Sequence, residues 1–374
     1  MAFTAEDHIY MTRALQLAEQ GLYSSMPNPR VGCVIVKDGP KGKITVGEGA
    51  HLKAGQPHAE VFALQQAGAQ ANGATLYVTL EPCNHIGRTP PCTQAIIDAG
   101  ISKVIAAMQD PNPLVAGSGL AHLQAHNIET ASGLMQAQAE DLNTGFISRM
   151  THNQPFVRSK IAASLDGKTA LENGQSQWIT GEAARHDVQH WRARSCAILT
   201  GVGTILSDNP SLTMRLNSLL ESHIDTRLQP MRIIVDSALK TPVNAKILAG
   251  GNVLIAFAQP NPQKEAQLLS AGAELLCIPN SDGKVCLKTL LAHLAAREIN
   301  EVLVEGGEGL NGALLAQNLI DELLIYYAPK LMGGAGKSMF AMPAFSAMQQ
   351  AINLQILDVR HIGNDIRLRA KPLC

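Results

Sequence analysis

A chain of 374 residues is long for one domain, and 46% apolar against 16% charged residues gives enough material for two cores and excludes extended disorder. A net charge of −1 and 4% aromatic residues exclude broad contact with nucleic acid or a membrane surface, which needs a basic surplus. No run of about 18 apolar residues is present, as a membrane helix requires. The acidic start Phe3-Thr4-Ala5-Glu6-Asp7 lacks the basic-then-apolar order of an export signal, so a cytoplasmic protein is expected. Seven scattered cysteines make no disulfide framework.

Thr4 followed by Glu6 and Asp7 marks a helix start, and Met11, Leu15, Ala18 and Leu22 fall on one helical face. Val31 to Val36 is a buried strand, with Ile44 to Glu48 its partner across a Lys/Gly turn. Helix is predicted over Val61 to Ala69, strand over Thr75 to Leu80, helix over Cys92 to Ala99, and strands over Lys103 to Met108 and Ile128 to Thr130. Alternating strands and helices imply a layered α/β domain. The pattern fades between Glu140 and Pro155, which sets a boundary near residue 146: domains of residues 1–145 and 146–374. Further strands are expected at Phe156 to Ala163, Ala197 to Thr200, Arg232 to Val235, Val253 to Ala258, Val302 to Glu305 and Glu322 to Ala328. Helices fit Gly181 to Arg194, Lys288 to Glu298 and Leu310 to Asn318.

The first half carries a metal-ligand set. His58, in Pro57-His58-Ala59-Glu60, with Cys83 and Cys92 supplies one imidazole and two thiolates for a tetrahedral Zn2+, leaving the fourth position to water. Zinc lowers the pKa of such a water toward about 7. Glu60, two residues from a ligand, is placed to take its proton and pass it to a departing amine. The order matches the H-x-E…P-C-x-x-C deaminase pattern, with eight residues between the cysteines where that pattern has two. His85, Arg88 and Thr89 of the widened loop become candidates for substrate contact. A lone His-x-Glu is commonly a helix surface; the combination and its order carry the inference.

Asn28-Pro29-Arg30-Val31-Gly32, His58-Ala59-Glu60 and Glu81-Pro82-Cys83-Asn84-His85 with Gly87-Arg88-Thr89-Pro90-Pro91-Cys92 resemble the bacterial bifunctional riboflavin-biosynthesis deaminase/reductases. The resemblance continues through Arg158 to Ala170, Ser176 to Thr180 and Gly201 to Pro210, and so covers nearly the whole chain. It implies a cytidine-deaminase-like three-layer domain followed by a dihydrofolate-reductase-like α/β domain. It implies deamination of 2,5-diamino-6-ribosylamino-4(3H)-pyrimidinone 5′-phosphate, then NADPH-dependent reduction of its ribosyl group to ribityl. In the first domain it implies that Asn28, His51, His85 and Arg88 hold the substrate. In the second it implies that Ala162, Trp178, Thr204, Asp208, Ser237, Gly307, Glu308, Gly309, Leu310, Asn311, Gly312 and Ala313 contact NADPH. Ser176, Arg192, Leu212, Arg215 and Glu305 then contact the substrate, the arginines suiting its phosphate, while Lys160 and Asp166 orient the sugar or relay protons. A small-molecule substrate and a homo-oligomeric assembly are the expected partners, with no nucleic acid and no membrane.

Two glycine-rich strings invite other readings. Gly307, Gly309 and Gly312 fit G-x-G-x-x-G, but no acidic residue follows at the distance a Rossmann unit requires, so a reductase phosphate loop is preferred. Gly333-Gly334-Ala335-Gly336-Lys337-Ser338 lacks a Walker A loop's first glycine, because Leu331 stands there.

Overall fold

The computed structural model describes residues 3–40, 42–85, 90–113, 115–216 and 229–373. The chain divides into two compact units, one ending at Asn153 and the other beginning at Gln154.

The first unit runs α1 (Ala5–Glu19), β1 (Gly32–Gly39), β2 (Gly42–Ala50), α2 (Ala59–Ala67), β3 (Thr75–Val78), α3 (Cys92–Asp98), β4 (Lys103–Ala106), α4 (Ser118–Ala125), β5 (Glu129–Ser132), α5 (Gln136–Leu142) and α6 (Thr144–His152). Thr4 starts α1 as expected, in a capping box with Asp7. The sheet order is β2-β1-β3-β4-β5; β1 is antiparallel to β2 and β3, and the remaining pairs are parallel. Gly32 pairs with Ala50, and Cys33 with Gly49, so Gly32 and Gly49 point to opposite faces. A Cβ on Gly32 would strike the backbone of α1 at Ala14, and one on Gly49 the backbone of α2 at Ala59. Helices therefore cover both faces, giving three layers, and this is why β1 is buried continuously from Gly32 to Val36. The boundary expected near residue 146 falls inside α6, which packs within the first unit.

The second unit runs β6 (Phe156–Ser164), β7 (Lys168–Ala170), α7 (Glu182–Arg194), β8 (Ala197–Gly201), α8 (Val202–Asp208), β9 (Met231–Val235), β10 (Val253–Phe257), α9 (Pro262–Ser270), β11 (Glu274–Cys277), α10 (Leu287–Ala296), β12 (Glu301–Val304), α11 (Glu308–Ala316), β13 (Glu322–Ala328), β14 (Lys337–Ser338), β15 (Asn353–Ile362) and β16 (Asp365–Leu373). Nine strands form one sheet in the order β11-β10-β9-β8-β12-β6-β13-β16-β15, parallel as far as β13 and antiparallel beyond it. Of the parallel strands, β8, β9, β10 and β12 are largely the apolar runs the sequence shows; β6 carries Arg158, Ser159 and Lys160 among its apolar residues, and β11 was not among the predicted strands. The β15–β16 hairpin has no such run and was not among the predicted strands. Gly333 to Ser338 leads into β14, not into a helix, so the P-loop pattern is not realised.

Candidate functional sites

In the first unit, His58 caps the N-terminus of α2 and Cys92 opens α3, behind Pro91. Cys83 lies in the loop after β3. His58 Nδ1 is 3.2 Å from the Cys92 sulfur and 3.5 Å from the Cys83 sulfur, and the Cys92 N–H points at Cys83 Sγ across 3.4 Å. All three ligand atoms lie within 4.8 Å of one another.

That loop is held by a group the sequence reading left without a role. Glu81 is buried, and its carboxylate accepts from the backbone N–H groups of Asp110, Gly117, Gly119 and Leu120 at 2.8–3.2 Å. Its position next to Pro82-Cys83 was the available signal.

The electrostatics call for a cation. A hydrogen bond with Cys92, opposed by burial and helped by His58, holds the Cys83 thiol down to about 4. Cys83 in turn, with burial, pushes Cys92 up. Burial, and then Cys83, raise the Glu60 carboxyl to about 7. Glu60 is 3% exposed, and its Oε2 is buried with no hydrogen-bond partner among the described residues. One nitrogen, two sulfurs and an orphaned carboxylate oxygen fit zinc with a water on its open side.

His51 stands at the edge of this group, its ring 5.4 Å from that of His58. Nδ1 lies 3.1 Å from the Pro57 carbonyl, and Nε2 3.0 Å from the Asn28 amide nitrogen. The carbonyl can only accept and the amide only donate, so His51 carries its proton on Nδ1 and is neutral. Burial lowers its pKa in the same sense. Asn28 and His51 thus form one fixed pair beside the ligands. His85 is exposed in the same loop, and Arg88 lies outside the described residues.

The second site is an open cleft of about 1040 Å³ at the carboxyl ends of the parallel strands, where α/β sheets bind ligands. Of the expected residues, Ala162, Trp178, Thr204, Asp208, Ser237, Gly307 to Leu310 and Ala313 line it, as do Lys160, Ser176, Arg192, Leu212, Arg215 and Glu305. Three are placed elsewhere. Asn311 is buried and bonds Ser159 Oγ and the Gly306 and Met339 carbonyls. Gly312 sits where a Cβ would collide with the Ala341 carbonyl, which makes it a packing glycine. Asp166 accepts from Ser164 Oγ and from the Met332 and Gly333 N–H groups; it ties a loop together and does not face the cleft.

At the cleft floor Glu305 is bracketed by cations. Arg192 donates to both its oxygens, at 2.6 and 3.1 Å, and to the Thr213 carbonyl at 2.7 Å; Lys160 Nζ is 3.6 Å away. Burial alone would raise the Glu305 pKa, but Arg192 and Lys160 hold it at about 2. Three of the five guanidinium N–H donors of Arg192 are thus engaged and two remain. Arg215 is exposed at the rim with no ion-pair partner among the described residues.

The cradle for a dinucleotide is bare backbone. Gly203, Gly307 and Gly309 line the cleft, and a Cβ on any of them would project into empty space. Gly307 caps α11, whose first N–H groups have no partner within the helix. Such an end suits a pyrophosphate. Trp178, 65% exposed, stands at the edge with Arg185 4.7 Å from its ring centroid.

Residues 155–368 match the family described as RibD C-terminal domain, and residues 4–108 the cytidine and deoxycytidylate deaminase zinc-binding region. The riboflavin biosynthesis protein RibD of Escherichia coli K12 is 46% identical over 97% of this chain and 98% of its own. That of Bacillus amyloliquefaciens is 42% identical over 98% and 96%. Among solved structures, Acinetobacter baumannii RibD superposes with a TM-score of 0.89 at 46% identity, covering 99% of both chains. The Thermotoga maritima diaminohydroxyphosphoribosylaminopyrimidine deaminase/5-amino-6-(5-phosphoribosylamino)uracil reductase does so at 0.83 and 33%, over 98% of this chain and 99% of that one. With a deaminase zinc centre in one unit and a bare-backbone dinucleotide cleft in the other, the chain belongs to the RibD family of bifunctional deaminase/reductases of riboflavin biosynthesis.

Proposed function

We propose that the first unit removes the 2-amino group of a phosphoribosylated diaminopyrimidine and that the second reduces the ribosyl group of the product to ribityl with NADPH. The observation that carries the reading is the orphaned, buried Glu60 Oε2 beside three converging zinc donors. When bound, zinc supplies the Lewis acidity that makes a water nucleophilic near neutral pH. Glu60 takes the proton of the attacking water at Oε2 and delivers it to the departing ammonia. The Asn28–His51 pair, neutral and fixed, lines the approach, with His85 and Arg88 as the further substrate contacts.

In the second unit NADPH, when bound, supplies the hydride. The chain's part is to place the sugar carbon against it and exclude other geometries. Lys160, Glu305 and the two spare N–H groups of Arg192 hold the ribosyl group from the floor, and Arg215 meets its phosphate at the rim. Ser176 and Leu212 complete the substrate wall. The pyrophosphate lies on the backbone of Gly203 and Gly307 to Gly309.

No helix among the described residues is long and apolar enough to cross a membrane. We place the enzyme in the cytoplasm, where its six described cysteines, none of them in a disulfide, stay reduced. The expected self-association has a candidate surface in β15, an edge strand with Ile356 63% and Val359 57% exposed.

Incubating the zinc-loaded protein with the diaminopyrimidine substrate tests the reading. Without NADPH, mass spectrometry should find only the product in which oxygen replaces the amine. With NADPH, a species two hydrogens heavier should follow. Reduction without prior deamination, or no change of mass at all, would overturn it.

A further inference from the structure

The reductase cleft carries cations at both ends, and the reading above accounts for those at one end only. Lys160 and Arg192 flank Glu305 after β12, and Arg215 stands at the rim of the same end, where the ribosyl group must sit. The hydride-donating ring must lie beside them. The bare backbone of Gly203 and Gly307 then takes the pyrophosphate, so the adenosine half has to run on toward β9. The lining there includes Ser207, Asp208, Ser237, Lys246 and Lys284.

Both lysines are seated by their backbones. The Lys246 N–H donates to Asn209 Oδ1 at 2.8 Å, which sets it beside the C-terminal end of α8 and Asp208. Lys284 closes a turn in which its N–H donates to Asn280 Oδ1 at 2.9 Å and its carbonyl accepts from the Asn280 N–H at 2.7 Å. The next residue, Val285, donates its N–H to Ser237 Oγ at 3.1 Å, so Lys284 is fixed against the serine at the end of β9. That bond uses Ser237 Oγ as an acceptor and leaves its O–H free to donate. Neither lysine ammonium has an ion-pair or hydrogen-bond partner among the described residues, and both are exposed. One free lysine on a surface is ordinary. Two of them with a donor hydroxyl, at the cleft end the pyrophosphate cradle leaves for adenosine, outnumber the single carboxylate of Asp208 and favour an anion.

We propose that Lys246 and Lys284, with Ser237 Oγ, bind the 2′-phosphate of the dinucleotide and thereby select NADPH over NADH. The inference rests on the reductase reading and assigns the residues that make its cofactor choice. A 2′-phosphate adds a group with about two negative charges that NADH lacks. Charge-assisted hydrogen bonds to it from two ammoniums strengthen NADPH binding and leave NADH untouched.

The test is equilibrium binding to the full-length protein, followed by quenching of protein fluorescence, for wild type, Lys246→Ala, Lys284→Ala and the double variant. The probes are NADPH, NADH and the fragments 2′,5′-ADP and 5′-AMP. Each single replacement should weaken NADPH and 2′,5′-ADP by about tenfold, the size of one charge-assisted hydrogen bond. The double variant should bind NADPH no better than NADH, and the Kd values for NADH and 5′-AMP should not move. Thermal unfolding of each variant reports that it is folded. If folded variants keep the wild-type preference, or lose NADPH and NADH affinity together, the assignment to these lysines is wrong while the reductase reading stands. If wild type binds neither dinucleotide, the reading itself falls and the assignment with it.

Discussion

Two buried thiolates with nothing to neutralise them are costly, and a zinc ion held by His58, Cys83 and Cys92 would neutralise them. Cys83→Ser removes a sulfur that no neighbouring side chain can replace, and metal analysis of the purified variant should find zinc lost. Glu60→Gln separates chemistry from metal binding: the amide keeps the shape but takes no proton. Its zinc content should match wild type, while deamination should fall about 10²–10⁴-fold, the usual share of general acid–base catalysis. Deamination near the wild-type rate would remove Glu60 from the mechanism. These residues were legible in the sequence because zinc restricts its ligands to a few types and the deaminase order restricts them further. Arg192 was harder. A sequence shows a cation suited to phosphate, but not that Glu305, more than a hundred positions away, already occupies three-fifths of its donor set together with Thr213. Asp166 likewise carries the right chemistry, yet it is spent on the backbone of Met332 and Gly333.

At the scale of elements, the zinc centre depends on how closely α2 lies on β2. Gly47 and Gly49 let the helix backbone rest on the strand, where a Cβ would meet the carbonyls of Ala63 and Ala59. Ala59 lies between His58 and Glu60, so Gly49→Ala should push the ligand and the proton carrier away from Cys83 and Cys92. We expect both weakened zinc retention and slower deamination, with reduction of the deaminated intermediate unchanged; wild-type zinc affinity would show that the helix accommodates the methyl group. The second unit has its own seam at the amino ends of its central strands β6, β12 and β13, the opposite ends from its cleft. Arg158 donates to Glu322 at 2.8 Å and to Glu301 at 3.1 Å, and lies 4.7 Å from the Trp191 ring centroid. Burial would raise the Glu322 pKa, but Arg158 and Arg369 hold it at about 2, below its ordinary 4.5. A carboxylate with a depressed folded-state pKa stabilises above its unfolded value and loses that contribution as pH falls through the folded one. Stability should therefore drop between about pH 4.5 and pH 2, by on the order of 3 kcal/mol from this group. Glu322→Gln should unfold at a lower temperature at pH 7 and lose less on acidification; an unchanged acid limb in calorimetry would refute the linkage. None of this network was visible in the pattern. Glu301, Glu322 and Arg158 sit at strand starts, where charge reads as a solvated end, and β15, exposed along nearly its whole length, lacks the one-sided alternation that marks a half-buried strand.

Across the whole molecule, each activity is built from one unit's residues. Every zinc ligand, and every partner of Glu81 and His51 named above, precedes Asn153; every residue of the reductase cleft follows Gln154. The sequence conveyed this division because ligand chemistry clusters before it and glycine-rich strand ends after it. The boundary itself was less clear, since α6 is polar enough to read as a linker although it packs within the first unit. If the sites are independent, two defective chains should repair each other. Glu60→Gln disables deamination and leaves the cleft intact. Gly309→Asp is the complementary lesion. Space for the side chain is open, so the fold is kept, but the new carboxylate fills the backbone cradle and repels a pyrophosphate. Given the diaminopyrimidine substrate and NADPH, the first variant alone should leave the substrate unchanged, and the second alone should stop at the deaminated intermediate. Mixed in equal amounts, they should carry the substrate to the reduced product, because intermediate released by one chain is reduced by the other. The measurement is product mass against time, with each variant's thermal unfolding as the control for folding. A mixture that stops at the intermediate, although the Glu60→Gln protein reduces that same intermediate when supplied with it, would mean that the Gly309→Asp chain does not release its intermediate to a second chain. A mixture that converts at a rate close to that of the slower of the two separate steps would establish that the chain is two enzymes joined by their order in the sequence.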